Sequence, residues 1–293
     1  MSDMVQVAIV GPDSPEWLEE AVRGGGGQLT EPARAEALLV DAGGTEELDR
    51  VLAEAPGVRW VQLSFTGVER FLNRMGDGRV WTCARGVYGP TVAEHALALA
   101  LAGLRDLPRL ARERSWKRWG LRSLIGARVV VVGGGSIGSS IAELLEPFHC
   151  ELELLTSRST RPLAEAARDV DVVFLAAPLT PATAGMVGEP ELRAMGTRSW
   201  LVNVARGGLV RTDDLVRALS EGWIAGAALD VTDPEPLPEG HPLWALDNCL
   251  ISPHVASVME LAKGTYASLV TENVRRFSEG RELLGLVDRE RGY

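Results

Sequence analysis

Cysteine is scarce in this chain, and the few that occur are far apart: Cys83, Cys150 and Cys249 are three among 293 residues. An odd number without any CxxC spacing argues against a disulfide framework and offers no zinc or redox motif. No metal site is therefore expected, and the expected setting is the reducing cytoplasm. Long apolar runs are lacking too. The longest, residues 96–104, is under half the ~20 residues that a membrane span requires. The opening Met-Ser-Asp-Met-Val-Gln-Val lacks the basic-then-apolar plan of a secretory leader, so none is expected. Positive charge is the remaining deficit: 30 Lys and Arg against 40 Asp and Glu leave a formal net charge of -10. A mean field of that sign repels phosphate, which argues against nucleic acid or an anionic membrane as partner. A local basic spot can still hold one anionic cofactor.

What is present points to a globular chain of two domains, with 46% hydrophobic and 24% charged residues. Residues 5–10 form the near-continuous apolar run of a strand covered on both faces. Ser14-Pro15 opens a helix, with Ser as its cap and Pro in its first turn, and glycines 24–27 end it in a surface turn. Residues 37–40, 58–63 and 80–82 read as further strands, with a helix near 45–55. Thr91-Val-Ala-Glu94 fits a capping box at the start of a long apolar helix, to be buried within the molecule or at a subunit contact. A second series follows, with strands at 128–132, 151–155, 171–175, 199–203, 225–229 and 249–252 and an amphipathic helix at 260–277. Strands alternating with helices predict parallel sheets covered on both sides, hence an α/β chain of two doubly wound domains.

Residues 129–132 run straight into Gly133-Gly134-Gly135-Ser136-Ile137-Gly138, a GxGxxG match set between a strand and a helix. Gly133 would make the tight turn, Gly135 would let the backbone approach a pyrophosphate, and Gly138 would let the helix pack on the strand. The amides around Ser136 and Ile137 would then face the phosphates from a helix N-terminus. An Asp or Glu about 20 residues later would bond the adenosine ribose and signal NAD. This sequence instead has Thr156-Ser157-Arg158-Ser159-Thr160-Arg161. Ser157 and Arg158 offer hydrogen bonds and charge to a 2′-phosphate, so NADP(H) is favoured over NAD(H). The alternative is an Arg158 that only stacks on the adenine.

Four further stretches follow in order: Asn203-Val-Ala-Arg206-Gly207-Gly208-Leu-Val210, Ala228-Leu-Asp230-Val231, Pro234-Glu235-Pro236 and Ser252-Pro253-His254-Val-Ala-Ser257. With the glycine loop they resemble the D-isomer-specific 2-hydroxyacid dehydrogenase family, from residue 60 to the C-terminus and most strongly over 125–257. The resemblance implies that Arg206 clamps the substrate carboxylate and carbonyl, that Glu235 partners His254, and that His254 gives or takes the proton. It implies that Asp230 contacts the nicotinamide carboxamide. Pro178-Leu-Thr-Pro181 resembles the family's cofactor-side loop, which places Pro178 and Thr183 among the cofactor contacts. Gln62-Leu63-Ser64-Phe65-Thr66-Gly67-Val68 resembles the substrate loop, with amides near Thr66 and Gly67 on the carboxylate. The chemistry agrees independently. Reducing a 2-oxo acid needs a proton at the developing alkoxide, which an imidazole supplies near neutral pH. A planar guanidinium suits the carboxylate and the charge growing beside it. Of the other histidines, His95 reads as a core or subunit-contact residue, His149 as a loop residue and His241 as the anchor of a turn.

The resemblance implies a Rossmann cofactor domain at 89–261 and a discontinuous, flavodoxin-like substrate domain at 1–88 plus 262–293. The expected activity is reversible hydride transfer between NADPH and C2 of a small 2-oxo acid, in a homodimer. Two alternatives remain open: a non-catalytic nucleotide-sensing protein of corepressor type, and a phosphite dehydrogenase. Formate enzymes of this pattern carry Gln where this chain has Glu235, which argues for hydroxyacids.

Overall fold

The computed structural model describes residues 4–11, 15–41, 45–116 and 120–290. In chain order the elements are β1 (Val5–Val10), α1 (Glu16–Gly24), β2 (Gly27–Leu29), β3 (Ala37–Val40), α2 (Thr45–Glu54), β4 (Trp60–Leu63) and β5 (Val80–Thr82). They continue with α3 (Gly89–Leu104), α4 (Leu107–Arg112), β6 (Arg128–Val132), α5 (Ser136–Leu145), β7 (Glu151–Leu155), α6 (Leu163–Ala166) and β8 (Val172–Leu175). The last are α7 (Glu189–Met195), β9 (Trp200–Asn203), α8 (Thr212–Ser220), β10 (Gly226–Leu229), β11 (Cys249–Ile251) and α9 (Met259–Ser278). Two compact units result: Met1–Val87 with Met259–Tyr293, and Tyr88–Val258. No helix among the described residues is long and apolar enough to cross a membrane.

The first unit is built on a parallel sheet of order β2-β1-β3-β4-β5, the flavodoxin-like arrangement. Every residue of β3 and β4 is buried, as a strand covered on both faces requires. Helix α9 packs on α1, β1 and β2, and a polar network inside the unit fixes it there. Asn273 Nδ2 of α9 donates to Gln62 Oε1 of β4 at 3.0 Å, and Thr82 Oγ1 of β5 donates to the same oxygen at 2.9 Å. Gln62, Thr82 and Asn273 are all fully buried, so an unmade bond here would cost desolvation without return.

One sequence expectation changes in part in this unit. Glycines 24–27 do end α1, with a turn at 25–26 and Gly24 and Gly26 exposed, but the run is only partly surface: Gly25 and Gly27 are buried, and Gly27 begins β2, which pairs with β1. A methyl group on Gly27 would lie 2.9 Å from side-chain carbons of both Val22 and Val274, so the glycines let α1 and α9 close over the edge strand. Ser14, read as the cap of α1, lies outside the described residues.

The second unit has a six-stranded parallel sheet of order β7-β6-β8-β9-β10-β11. Successive side chains of a strand point to opposite faces, and the two cores follow that rule. Val130, Val132, Val173, Leu175 and Leu201 belong to one hydrophobic cluster. Val129, Val131, Val172, Phe174 and Val202 belong to the other. Strand β7 is one of the two edge strands, and there Glu151 and Glu153 replace the valines, which blunts its unpaired side against association.

Helix α3 covers the second cluster through Ala93, Ala96, Ala100 and Leu104. Its small residues are required, because a Cβ on Gly103 would press into the Trp200 ring at 2.5 Å. The capping box expected at Thr91 and Glu94 does not form. Gly89-Pro90 supplies the first turn instead, with proline at a position where no amide partner is needed. Thr91 Oγ1 is left to donate to the Tyr88 carbonyl at 3.2 Å or to pair with Ser257 Oγ at 2.7 Å.

Candidate active site

The chain passes from β6 to β7 on one side and then to β8 on the other, so the sheet of the second unit has its switch point between β6 and β8. Loops leaving neighbouring strands in opposite directions open a crevice there, at the carboxyl ends. The glycine loop lies at that place. Gly133 adopts φ +116, and a Cβ on it would lie 2.5 Å from the Ala176 carbonyl carbon beyond β8. The turn is therefore tight on both conformational and steric grounds. A Cβ on Gly138 would overlap the Gly133 carbonyl, so this glycine sets the seat of α5. Gly135 has nothing within 4 Å of the place a Cβ would occupy. The first and third glycines serve the protein's own packing, whereas the second faces open space, as a cradle for a dinucleotide pyrophosphate would. Ser136, exposed, and Ile137, half-buried, begin α5 immediately afterwards.

Beyond β7, Thr156, Ser157, Arg158 and Ser159 form a tight turn. The Ser159 amide donates to the Thr156 carbonyl at 2.9 Å and the Arg158 amide to Thr156 Oγ1 at 3.2 Å. Ser157 and Arg158 are exposed, and no side-chain partner holds the Arg158 guanidinium among the described residues. Arg161 is different: Glu153 takes it at 2.6 Å and Glu165 at 3.2 Å. On the neighbouring loop Pro178 is exposed. Thr183 Oγ1 donates to the Pro178 carbonyl at 2.6 Å and accepts the Thr180 amide at 2.8 Å. The hydroxyl of Thr183 thus shapes the loop itself.

The remaining residues come from the ends of β9, β10 and β11. Asn203, the last residue of β9, accepts the Ala205 amide at 3.1 Å and donates to the Arg206 carbonyl at 2.9 Å. This brace turns the chain so that Arg206 stands half-buried, with Nη1 on the Ala205 carbonyl at 2.7 Å. Past β10, Asp230 is 2% exposed. Its Oδ1 accepts Ser252 Oγ at 2.6 Å and the Val255 amide at 3.0 Å, while Oδ2 accepts the Ala256 amide at 3.0 Å. The carboxylate expected at the nicotinamide is therefore also tied into the loop that follows β11.

His254 lies in that loop at φ +54, a left-handed conformation that costs a non-glycine residue energy. The cost is met by backbone bonds from its amide to the Asp230 carbonyl at 2.8 Å and the Ser252 carbonyl at 3.0 Å. Its Nδ1 lies 2.6 Å from Glu235 Oε1. Among the described residues Nε2 has no protein partner, so the ring is held by one nitrogen and offers the other. Arg206, Glu235 and His254, expected together, all stand at the carboxyl end of this one sheet.

His95 was expected to serve the core or a subunit contact, yet its Nε2 lies 3.0 Å from Ser252 Oγ and 3.4 Å from Asp230 Oδ1. The only sequence signal was its spacing, since Thr91 and His95 share one face of α3.

In the first unit, Thr66 and Gly67 occupy the turn after β4, Thr66 exposed and Gly67 half-buried. Among the described residues neither amide has a protein acceptor. Beneath them Phe65 stacks on Phe71 at 5.4 Å between ring centroids, which stiffens the turn.

A family model for the NAD binding domain of D-isomer specific 2-hydroxyacid dehydrogenases matches residues 95–256. The glyoxylate reductase/hydroxypyruvate reductase of Homo sapiens is 37% identical over 204 residues, 63% of this chain and 62% of that protein. The glyoxylate reductase of Aeropyrum pernix is 33% identical over 274 residues, 84% of this chain and 81% of that protein. Among solved structures, a D-isomer specific 2-hydroxyacid dehydrogenase from Xanthobacter autotrophicus in complex with NADPH and MES superposes with a TM-score of 0.82 at 28% identity, covering 99% of both chains. The NADPH-dependent glyoxylate/hydroxypyruvate reductase from Sinorhizobium meliloti, in complex with NADP and malonate, gives 0.77 at 27% identity over 99% of this chain and 98% of that one.

Proposed function

Since the chain belongs to the D-isomer specific 2-hydroxyacid dehydrogenase family, an NAD(P)-dependent group of oxidoreductases, we propose that it reduces small 2-oxo acids of the glyoxylate and hydroxypyruvate type with NADPH. The observation that carries this reading is the 2.6 Å contact of His254 Nδ1 with Glu235, which leaves Nε2 available on the sheet edge that also bears the glycine cradle.

In this reading Gly133, Gly135, Ser136, Ile137 and Gly138 hold the pyrophosphate, Pro178 and Thr183 form the loop beside it, and Asp230 orders the nicotinamide end. When bound, the reduced nicotinamide supplies the hydride for C2 of the substrate. Arg206 forks onto the substrate carboxylate and stabilises charge on the former carbonyl oxygen. His254, with a hydrogen on both ring nitrogens, delivers the one on Nε2 to that oxygen, and Glu235 accepts from Nδ1 throughout and holds the ring in place. Thr66 and Gly67, whose amides have no protein acceptor among the described residues, are read as the substrate-binding loop of the first unit. Ser157 and Arg158 read the 2′-phosphate and so favour NADP(H) over NAD(H). The reading includes a cytoplasmic setting and a homodimer; for the latter, Leu97, Leu99 and Leu101 of α3 pack only partly against the core of their own unit and leave apolar surface exposed.

Steady-state oxidation of NADPH and NADH with glyoxylate, hydroxypyruvate, pyruvate, 2-oxobutyrate and phenylpyruvate tests it. Turnover by the wild type, lost in His254→Ala while NADPH still binds, is the expected result. A wild type inert towards every substrate with both cofactors overturns the reading.

A further inference from the structure

We propose that His95 is a positioning residue for His254, acting through Ser252 and Asp230; this rests on the reading of His254 as proton donor. Helix α3 touches the His254 loop at both ends. Thr91 Oγ1 pairs with Ser257 Oγ at 2.7 Å, and one turn later His95 Nε2 meets Ser252 Oγ at 3.0 Å. The two serines bracket His254, and each meets a polar side chain on the same helix face.

The direction of the protons follows from elementary counting. A serine hydroxyl has a single hydrogen, and Ser252 Oγ gives it to Asp230 Oδ1 across 2.6 Å. An ionised carboxylate has no hydrogen to return. Ser252 can only accept from His95, so the histidine carries its hydrogen on Nε2. The result is a one-way chain, His95 N–H to Ser252 O–H to the Asp230 carboxylate. If His95 presented a bare nitrogen, Ser252 would have a second acceptor within hydrogen-bond reach, and the buried carboxylate would compete for its shortest hydrogen bond.

Asp230 in turn fixes the catalytic loop. Its carboxylate holds the amides of Val255 and Ala256, and its carbonyl holds the amide of His254. The left-handed backbone of His254 persists only because these bonds over-determine it. Weakening the Ser252 bond lets the loop relax from that conformation, and the imidazole leaves its alignment. The expected loss is in the chemical step and not in substrate capture, because Arg206 hangs from β9 and is untouched.

The test compares wild type, His95→Leu, His95→Gln, Ser252→Ala and the double variant H95L/S252A. The His254 ring resonance is followed by NMR, with His254→Ala providing its assignment, alongside kcat and KM for the 2-oxo acid and the melting temperature. Glutamine places an amide N–H at similar reach, so it should restore what leucine removes. Expected for His95→Leu are a displaced His254 resonance and a kcat lower on the order of tenfold, the rate equivalent of one hydrogen bond, with KM little changed. Ser252→Ala should match it, and the double variant should be no worse than either, as members of one chain behave. A wild-type kcat and resonance in His95→Leu would overturn the proposal, even with a lowered melting temperature. So would losses that multiply in the double variant, or failure of glutamine to rescue. Should the wild type turn over no 2-oxo acid, the functional reading fails, and the His254 resonance alone still decides the contact.

Discussion

Glu235 Oε1 and His254 Nδ1 lie 2.6 Å apart although both side chains are substantially open to water, 41% and 51% exposed. A polar contact so placed contributes little to stability, because water and salt screen it. What the contact fixes is which ring nitrogen points outward. Glu235→Gln should therefore melt like the wild type while kcat falls by ~10²-fold, the usual scale for impaired general acid catalysis. Circular dichroism melts beside steady-state kinetics separate the two effects, and an early melt with normal kcat would reverse their assignment.

The three motif glycines of the cofactor loop, Gly133, Gly135 and Gly138, should fail in different ways. Gly133→Ala and Gly138→Ala place a methyl group against backbone, at Ala176 and at the Gly133 carbonyl respectively. Both should lower the melting temperature of the protein alone. Gly135→Ala meets no protein atom within 4 Å, so its melt should be normal and only NADPH affinity should drop. Fluorescence titration of NADPH with each variant checks this, and undiminished affinity in Gly135→Ala would remove the cradle from this loop.

Arg158 and Arg161 look equivalent in sequence and are not. Glu153 and Glu165 occupy Arg161, whereas Arg158 stands exposed beside Ser157. Arg158→Ala should raise KM for NADPH by ~10-fold or more, as loss of a charge-assisted bond does, and leave NADH nearly unchanged. Arg161→Ala should alter neither by more than about twofold, since a surface ion pair contributes little. Equal losses for both cofactors in Arg158→Ala would argue for stacking on the adenine.

None of the cysteines is poised as a nucleophile. Burial raises the thiols of Cys83 and Cys150 and pushes Cys249, on the strand leading to His254, up to about 12 from an ordinary 9.0. A thiol that ionises less readily in the fold stabilises it fully below pH 9, and that contribution is lost as pH rises through 12. At pH 8 a group of that kind is ~10⁻⁴ thiolate, so iodoacetamide should leave activity intact for hours. The three cysteines should alkylate promptly only in denaturant, which mass spectrometry can follow. Rapid loss of activity with Cys249 modified would contradict this.

How much of this was legible in the sequence depends on the range of the interactions involved. Strand β6 announced itself because both its faces are covered, which demands four valines in a row. The loops bearing Arg206, Glu235 and His254 were legible as compact motifs at strand ends. Strand β2 was not, because its three residues begin with glycine and depend on a partner strand 22 positions away. The Thr91 capping box had the right letters, but Gly89-Pro90 begins the helix earlier by a local preference that overrides it. The tie between His95 and Ser252 spans 157 positions and has no signature in either neighbourhood. Three-dimensional proximity alone reveals it.

The first unit is completed by the last part of the chain: α9 covers α1, β1 and β2, and Asn273 closes the buried network with Gln62. During synthesis, then, the second unit has all its strands before the first has its covering helix. A nascent chain stopped after Val258 would carry a full six-stranded sheet beside a five-stranded one with an uncovered face. Quality control in the cell would meet that face last, and a chain shortened before residue 273 should be degraded from its beginning, with a fragment near 88–258 surviving limited proteolysis.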